Sequence, residues 1–333
     1  MSSPRVSIVV PTYNRRRLLA AMLPPLLTQE PASSPYEIVV VVDGSRDGTV
    51  EMLREMRAEG RLRFVTQENR GLAAARNRGA REGRGDIVLF LDDDMIAPPG
   101  LVDGHVEAHA RPGERVVFGG LRLAPGVRRS FLKDGIEAWG AEIDTRLSTP
   151  GYRFRFDDCH FGHASIAKSL FLRAGGFDES FVKFGNEDYE LGWRLIGMEA
   201  EMSYLGRVAV DQVYDKTFRR WLKDCYSVGR ADVELERKHR ELAADLRLSR
   251  RERHPLKRLA RWSSLLAVDF TAPAWAAAEM AMAGVERVGG RGRALGHLQS
   301  LLGERRYWKG IRDARRDAPG RPVRRGVGEG RAA

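Results

Sequence analysis

Residues 86–94 read Asp-Ile-Val-Leu-Phe-Leu-Asp-Asp-Asp, five apolar residues running straight into three carboxylates. A continuous run with branched and aromatic members reads as a strand buried on both faces, as in the middle of a parallel sheet. Three adjacent acids repel one another and need a positive neighbour. Oxygen-only ligands at a strand end suit a hard divalent cation such as Mg2+ or Mn2+, which in turn grips a di- or triphosphate. Open α/β sheets bind ligands at this end of their strands. The alternative is that the acids cap the segment opened by Pro98 and Pro99, but a cap needs one acid and not three.

The flanking sequence repeats the pattern of buried strand, polar turn and helix. Arg5–Val10 is a first strand, stopped by Pro11. Thr12-Tyr13-Asn14 is a polar turn on which a nucleotide can lie, and a helix follows from about Arg15 to Thr28. Glu37–Val42 is a second buried strand ending in Asp43-Gly44-Ser45-Arg46-Asp47-Gly48-Thr49, before a helix over Val50–Glu59. Asp43, just beyond the strand, is placed to accept hydrogen bonds from a base or ribose. Leu62–Val65 makes a third strand. The helix that starts in 69–77 carries Arg76, which faces a phosphate or is simply solvated. Strands alternating with helices over the first 110 residues predict an α/β fold with a doubly wound, mostly parallel sheet. Neither GxGxxG nor GxxxxGK[ST] occurs in the turns, which argues against a dinucleotide-binding fingerprint and a P-loop.

Beyond the acidic run, Val116–Gly120 reads as a strand and residues 121–159 as an irregular stretch of the kind that forms substrate loops or lids. Phe161–Ala167 reads as a strand and Lys168–Ala174 as a helix. A second acidic group, Asn186-Glu187-Asp188, follows a flexible Phe184-Gly185 and opens a helix with Leu191, Leu195 and Ile196 on its apolar face. A carboxylate there can act as general base on an acceptor hydroxyl, or cap the helix. His160 and His163 have no metal-ligand spacing and read first as core or loop histidines. From Phe218 the pattern turns helical, with Phe218, Trp221, Leu222, Cys225 and Tyr226 on one stripe.

The 333 residues hold 43% hydrophobic residues, ample for a core, and two cysteines, too few for a disulfide framework. With no visible secretory signal, the chain reads as cytoplasmic. Its net charge of +11 is uneven: from Thr217 onward there are 27 Lys and Arg against 14 Asp and Glu, but 29 against 31 before it. A basic tail favours an acidic partner, such as anionic lipid headgroups. The stretch Leu259–Val288 is apolar yet interrupted by Asp269, Pro273, Glu279 and Glu286. It therefore predicts a helix pair lying on a membrane surface, on the rest of the chain or on a second copy, and not a spanning helix. Nothing in the tail resembles a groove-reading or base-stacking motif, so no nucleic-acid partner is expected. The expected organisation is a unit over 1–216, nucleotide-side to about 115 and acceptor-side over 116–216, then a basic helical extension over 217–316 and a disordered tail over 317–333.

In fixed order, VSIVVPTYNR at 6–15, EIVVVVDGSRDGT at 37–49, NRGLAAARNRG at 69–79, DIVLFLDDDMIAPPGL at 86–101 and AGGFDESFVKFGNEDYELGWRL at 174–195 resemble glycosyltransferase family 2, inverting enzymes of GT-A fold. The last segment also looks like the acceptor-side motif of galactosyltransferase-type domains. The resemblance implies transfer from a nucleotide-diphospho-sugar, with a UDP-sugar the leading donor, to a saccharide, lipid-linked or small-molecule acceptor. Pro11, Thr12 and Tyr13 would line the nucleotide pocket and Asp43 would hold the base. Asp92 and Asp94 would be the ends of the DxD motif, with Asp94 the metal ligand and Asp92 or Asp93 reaching the ribose; the cation would be Mn2+ or Mg2+. Asp188 would be the catalytic base, and Glu187, Trp193 and His163 are candidates for the acceptor side.

Two positions depart from the family pattern. Val42 replaces the first of two acids before Gly44-Ser45, and the region Val210–Tyr214 lacks a His, so Asp211, Gln212 or water would take its place. Two other readings are a non-catalytic nucleotide-sugar or membrane-surface binding protein on the same fold, and a sugar-1-phosphate nucleotidyltransferase. The latter is disfavoured because residues 10–14 contain no Gly.

Overall fold

A computed structural model describes residues 5–29, 34–56, 60–111, 113–182, 185–249, 254–266 and 271–317. Eight strands, β1 (Val6–Thr12), β2 (Tyr36–Asp43), β3 (Leu62–Gln67), β4 (Ile87–Leu91), β5 (Met95–Ile96), β6 (Arg115–Leu123), β7 (His163–Ala167) and β8 (Glu201–Gln212), form one sheet in the order β3-β2-β1-β4-β7-β6-β8-β5. The helices are α1 (Arg16–Leu27), α2 (Thr49–Glu55), α3 (Leu72–Glu82), α4 (Leu101–Ala108), α5 (Phe131–Leu147), α6 (Lys168–Arg173), α7 (Glu187–Gly197), α8 (Phe218–Lys238), α9 (Pro255–Leu265), α10 (Ala272–Arg287) and α11 (Arg293–Arg316).

β1, β2 and β4 are buried along their whole length, as their unbroken apolar runs predict. β1 pairs in parallel with β2 on one side and β4 on the other, so the strand order reverses around it. That reversal brings the ends of β1, β2 and β4, with Thr12, Asp43 and the triple Asp, to one edge. β1 does not stop at Pro11 but continues to Thr12. Its pairing with β4 ends at Val9, so beyond that point β1 is an edge on that side, where a residue without an N–H is tolerated. α3 packs so closely on β1 that a Cβ at Gly79 would lie 2.2 Å from Val9 Cγ1.

The second half of the sheet is mixed, with β7 antiparallel to both β4 and β6 while β6 and β8 run parallel. Residues 121–159 are not the irregular stretch expected: β6 extends to Leu123 and α5 fills 131–147. Only Phe131, Leu132 and Leu147 of α5 are buried, all near its ends, so the helix lacks the apolar stripe that reveals one in sequence.

The stripe predicted from Phe218 lies on α8, with Phe218 and Leu222 buried. α8 and α11 share an apolar cluster with Phe156, Phe181, Tyr189 and Trp193, so the C-terminal helices and the segment around α7 have a common core. Leu259–Val288 spans the helices α9 and α10 and the residues between them. Among the described residues no helix is long and apolar enough to cross a membrane. Residues 318–333, nearly all of the expected disordered tail, lie outside the described residues.

Candidate active site

β4 ends by placing Asp92, Asp93 and Asp94 in the turn before β5. The turn is pinned by Asp92 N–H on the Gly162 carbonyl (2.9 Å) and by Val213 N–H on the Asp94 carbonyl (2.8 Å). The side chains of Asp93 and Asp94 are buried, whereas that of Asp92 is 31% exposed. Thr12 Oγ1 donates to Asp93 at 2.7 Å. Arg15, the residue before α1, reaches Asp93 (2.7 Å), Asp94 (3.0 Å) and Asp215 (2.9 Å). Burial pushes the Asp93 carboxyl up to about 7 against the opposing pull of Arg15 and Thr12, and burial likewise raises Asp94. Gln212 Nε2 faces both Asp94 oxygens at 3.4 Å, while Asp211 is turned to Arg122 at 3.2 Å.

The second acidic group meets the first through Arg76. Asn186 precedes α7 in the left-handed region (φ 67°), and Asp188 lies in the first turn. Asp188 Oδ2 accepts the Phe161 N–H at 2.9 Å, and Oδ1 accepts from Arg76 Nη1 at 2.7 Å. The other Arg76 nitrogen, Nη2, donates to Asp92 at 2.8 Å, and Glu187 lies 3.8 Å from Nη1. The Arg76 side chain is 1% exposed. Burial works against its charge, but Asp188, Asp92 and Glu187 outweigh that and hold it protonated. Glu187 is raised, first by burial and then by Asp188, with Arg76 opposing.

The ends of β1 and β2 form the third side. Asp43 accepts from Gln67 Nε2 (2.8 Å) and from the N–H groups of Arg70 and Gly71 (2.9 Å each), so it anchors the turn that starts α3. Asn14 ties the first turn to the second, donating its N–H to Ser45 Oγ (2.9 Å) and accepting the Arg46 N–H (2.8 Å). Tyr13, 48% exposed, borders a cleft of about 930 Å³ that Gly44, Ser45, Arg46, Gln67 and Asn69 also line.

Residues 7–171 match the model of glycosyl transferase family 2. The chain belongs to glycosyltransferase family 2. A validoxylamine A glucosyltransferase of Streptomyces hygroscopicus subsp. jinggangensis is 33% identical over 216 residues, which cover 58% of this chain and 51% of that one. A chondroitin synthase of Escherichia coli is 30% identical over 221 residues, 57% of this chain and 32% of that one. The chain thus spans about half the length of the first and a third of the second. Among solved structures, a mannosyltransferase from Pyrobaculum calidifontis in complex with GDP-Man and Mn2+ superposes with a TM-score of 0.59 at 21% identity, over 93% of this chain and 88% of that one. That likeness shows the GT-A fold.

Three candidates of this family 2 chain lie elsewhere than the sequence suggested. Arg76 does not stand open to a phosphate; it is buried and engaged by carboxylates. His163 is not on an open acceptor face but buried in a chain of hydrogen bonds. Its Nδ1 lies 3.0 Å from the Gly120 carbonyl, its Nε2 lies 3.0 Å from His105 Nε2, His105 Nδ1 lies 2.7 Å from Ser165 Oγ, and His109 Nε2 lies 2.8 Å from that oxygen. A carbonyl only accepts, so His163 donates from Nδ1, which assigns every donor back to His109. Burial holds His163 and His109 down at about 4, and His105 well below its ordinary value, so the rings are neutral. Trp193 packs edge-on against Phe156 and donates to Glu241 at 3.3 Å, in the seam with the C-terminal helices.

The residue that sequence reasoning left without a role is Arg15, whose only signal is its place at the end of the first motif. Among the described residues no group of three His, Cys, Asp or Glu is arranged to hold a metal. The oxygens of Asp92 and Asp94 nevertheless suit a hard cation carried by one or two carboxylates, with its other positions filled by water and phosphate. At Asp93 and Asp94 burial outweighs the pull of Arg15, so these carboxylates would gain from a further cation at the strand end.

Proposed function

We propose that the chain is a metal-dependent inverting glycosyltransferase that moves a sugar from a nucleotide-diphospho-sugar to an acceptor hydroxyl. One observation carries the reading. A single buried guanidinium, Arg76, holds Asp92 at 2.8 Å and Asp188 at 2.7 Å, so the strand-end acids and the acidic helix start face one space.

Asp188 is the general base. Each of its oxygens accepts one protein hydrogen bond and keeps a lone pair free for an acceptor hydroxyl. As it takes that proton, the acceptor oxygen bonds to the anomeric carbon and the bond from that carbon to the diphosphate breaks, inverting the centre in one displacement. Mn2+ or Mg2+, held by Asp94 and Asp92, would supply positive charge to the departing diphosphate. Thr12 and Asp93 orient the ribose side, while Pro11, Tyr13 and Asp43 border the base. Asp43 still has one acceptor position, since a carboxylate offers roughly four and three are filled.

The donor proposed is a UDP-sugar and the acceptor a saccharide, lipid-linked or small-molecule hydroxyl. The test is release of nucleoside diphosphate from a panel of UDP-, GDP- and dTDP-sugars with Mn2+, Mg2+ or EDTA. One donor should be turned over, with loss in EDTA and in Asp188→Asn, which keeps donor binding. Full activity in Asp188→Asn would remove the base, and full activity in EDTA would remove the metal.

The C-terminal helices are proposed to rest, in the cytoplasm, on an anionic bilayer. Leu259, Trp262 and Leu265 of α9 are exposed beside Lys257 and Arg258, and α10 exposes Met280. Apolar and basic groups together fit a lipid headgroup boundary. Co-sedimentation with phosphatidylglycerol vesicles but not with phosphatidylcholine vesicles, weakened by Trp262→Ser, is expected. Concentration-dependent self-association lost in that variant, without vesicle binding, would assign the face to a homo-oligomer instead.

A further inference from the structure

The turn that carries Asp188 is held by side chains of α8 and α11. Asn186, which immediately precedes α7, is one of three non-glycine residues with positive φ among the described residues. Its side chain does not cap the helix but points to α8, where Nδ2 donates to Asp232 Oδ1 at 2.6 Å. The other oxygen of Asp232 accepts from the Tyr307 hydroxyl of α11. Asn186 is 6% exposed, Asp232 4% and Tyr307 0%. A buried carboxylate held by such donors is expensive to disturb, because away from water nothing of equal strength replaces a lost hydrogen bond.

Close packing fixes this contact in space. A Cβ on Gly229 of α8 would lie 2.0 Å from the Tyr307 carbonyl oxygen, and one on Gly310 of α11 would lie 2.1 Å from that of Tyr226. The two helices therefore meet backbone to backbone next to the Asp232–Tyr307 bond. α8 also lies against the turn itself, since a Cβ on Gly185 (φ 127°) would sit 3.3 Å from Ala231 Cβ. The Asn186 carbonyl then accepts the Glu190 N–H at 2.9 Å, closing the turn of helix that carries Asp188.

We infer that Asp232 and Tyr307 are positioning residues for the transfer reaction: through Asn186 they set the start of α7 and so hold Asp188 against Arg76 and the Phe161 N–H. The C-terminal helices are thus part of the catalytic apparatus and not only an appendage of it. The inference rests on the reading of Asp188 as the base, and its test has one readout that does not.

Tyr307→Phe removes only the hydroxyl and keeps the ring in its core site. Asn186→Gly removes the link from the other side while relieving the positive φ, so each variant breaks one contact of Asp232 and keeps the other. Ile311→Val trims the same apolar cluster without touching the network and serves as the destabilised control. Hydrogen exchange of the full-length chain at the Glu190 amide should quicken roughly tenfold or more in the first two variants and not in the control. With the donor found by the panel, kcat should fall roughly tenfold or more in the same two variants, with donor Kd within about twofold and the control unchanged. Unchanged exchange at Glu190 in both test variants would overturn the inference, as would equal effects in Ile311→Val. If exchange quickens but kcat holds, the helices do not position the base, and the inference falls. If exchange quickens and the wild-type chain turns over no donor, the functional reading fails while the structural coupling stands.

Discussion

Replacing Arg76 by Met keeps a long, helix-compatible side chain in α3 and removes the one charge that Asp92, Glu187 and Asp188 share. Breaking a buried pair by deleting one partner costs about 3–5 kcal/mol, because the other charge stays behind uncompensated. The low end applies here, since the Asp92 and Asp188 side chains are 31% and 18% exposed and water takes over part of the arginine's work. About 3 kcal/mol corresponds to a fall in Tm of roughly 4 °C for 333 residues, at about 2.1 cal/mol/K of unfolding entropy per residue. The deficit depends on pH with a definite sign. Arg76 opposes the burial and the Asp188 charge that raise Glu187, so its loss raises Glu187 further. An acid whose folded pKa lies above its unfolded value is protonated first in the native state, so stability grows as pH falls through the folded pKa. Urea unfolding at pH 8 and pH 6 should therefore show a larger deficit at pH 8. Transfer activity should drop by about a hundredfold or more, since Asp188, the proposed base, and the acids at the end of β4 lose their common reference. A deficit below about 1 kcal/mol at both pH values would refute the account of Arg76 as a structural counter-ion.

Asp93, with a carboxyl near 7 in the folded chain, makes a second prediction. In EDTA the folded state holds this proton below pH 7 and must give it up above, which contributes a fall of about 1 kcal/mol in stability between pH 6 and pH 8, on top of the fall of the same sign that the raised Glu187 adds. Denaturant midpoints that rise over that range would contradict it. Arg15→Gln leaves Asp93 and Asp94 without their pairing cation; in EDTA it should unfold at a lower temperature than wild type. Saturating Mn2+ should raise its Tm by roughly 2–4 °C more than it raises the wild type's, as read by scanning fluorimetry. Gly79→Ala places a Cβ 2.2 Å from Val9 Cγ1 and should cost about 1–3 kcal/mol by forcing α3 off β1. Wild-type stability in that variant would show that α3 can slide.

What the sequence reveals and conceals follows from which forces are local. Val88, Leu89 and Phe90 sit in an unbroken apolar run, so β4 and the acids beyond it could be read directly, as could β1 and β2. α5 could not, because its interior exposes Trp139 and contains Gly135 and Gly140, leaving little periodic signal. Asp92, Asp93, Asp94 and Asp188 were recognisable because so many carboxylates exceed what caps require. Arg76 could be named but not placed: its partners lie 16 and 112 residues away in sequence, and only the folded chain shows that it faces acids and not phosphate. Arg15 bridges to Asp94 over 79 residues and to Asp215 over 200, separations that no local pattern encodes. His163 misleads for the same reason, since its partners His105 and Gly120 come from a helix and a strand well before it.

The Asp232–Tyr307 contact also orders events during synthesis. A nascent chain can pair β1, β2 and β4 and bring Arg76 to Asp92 long before α11 exists, because domains form as their segments emerge. Until Tyr307 leaves the ribosome, the Asp232 carboxylate lacks the hydroxyl that Tyr307 donates and the turn at Asn186 lacks its far support. Donor-side architecture is therefore available early, whereas the carboxylate that would activate an acceptor is set only after Tyr307 has been made. A ribosome-bound intermediate on this pathway would hold nucleotide before it could transfer sugar.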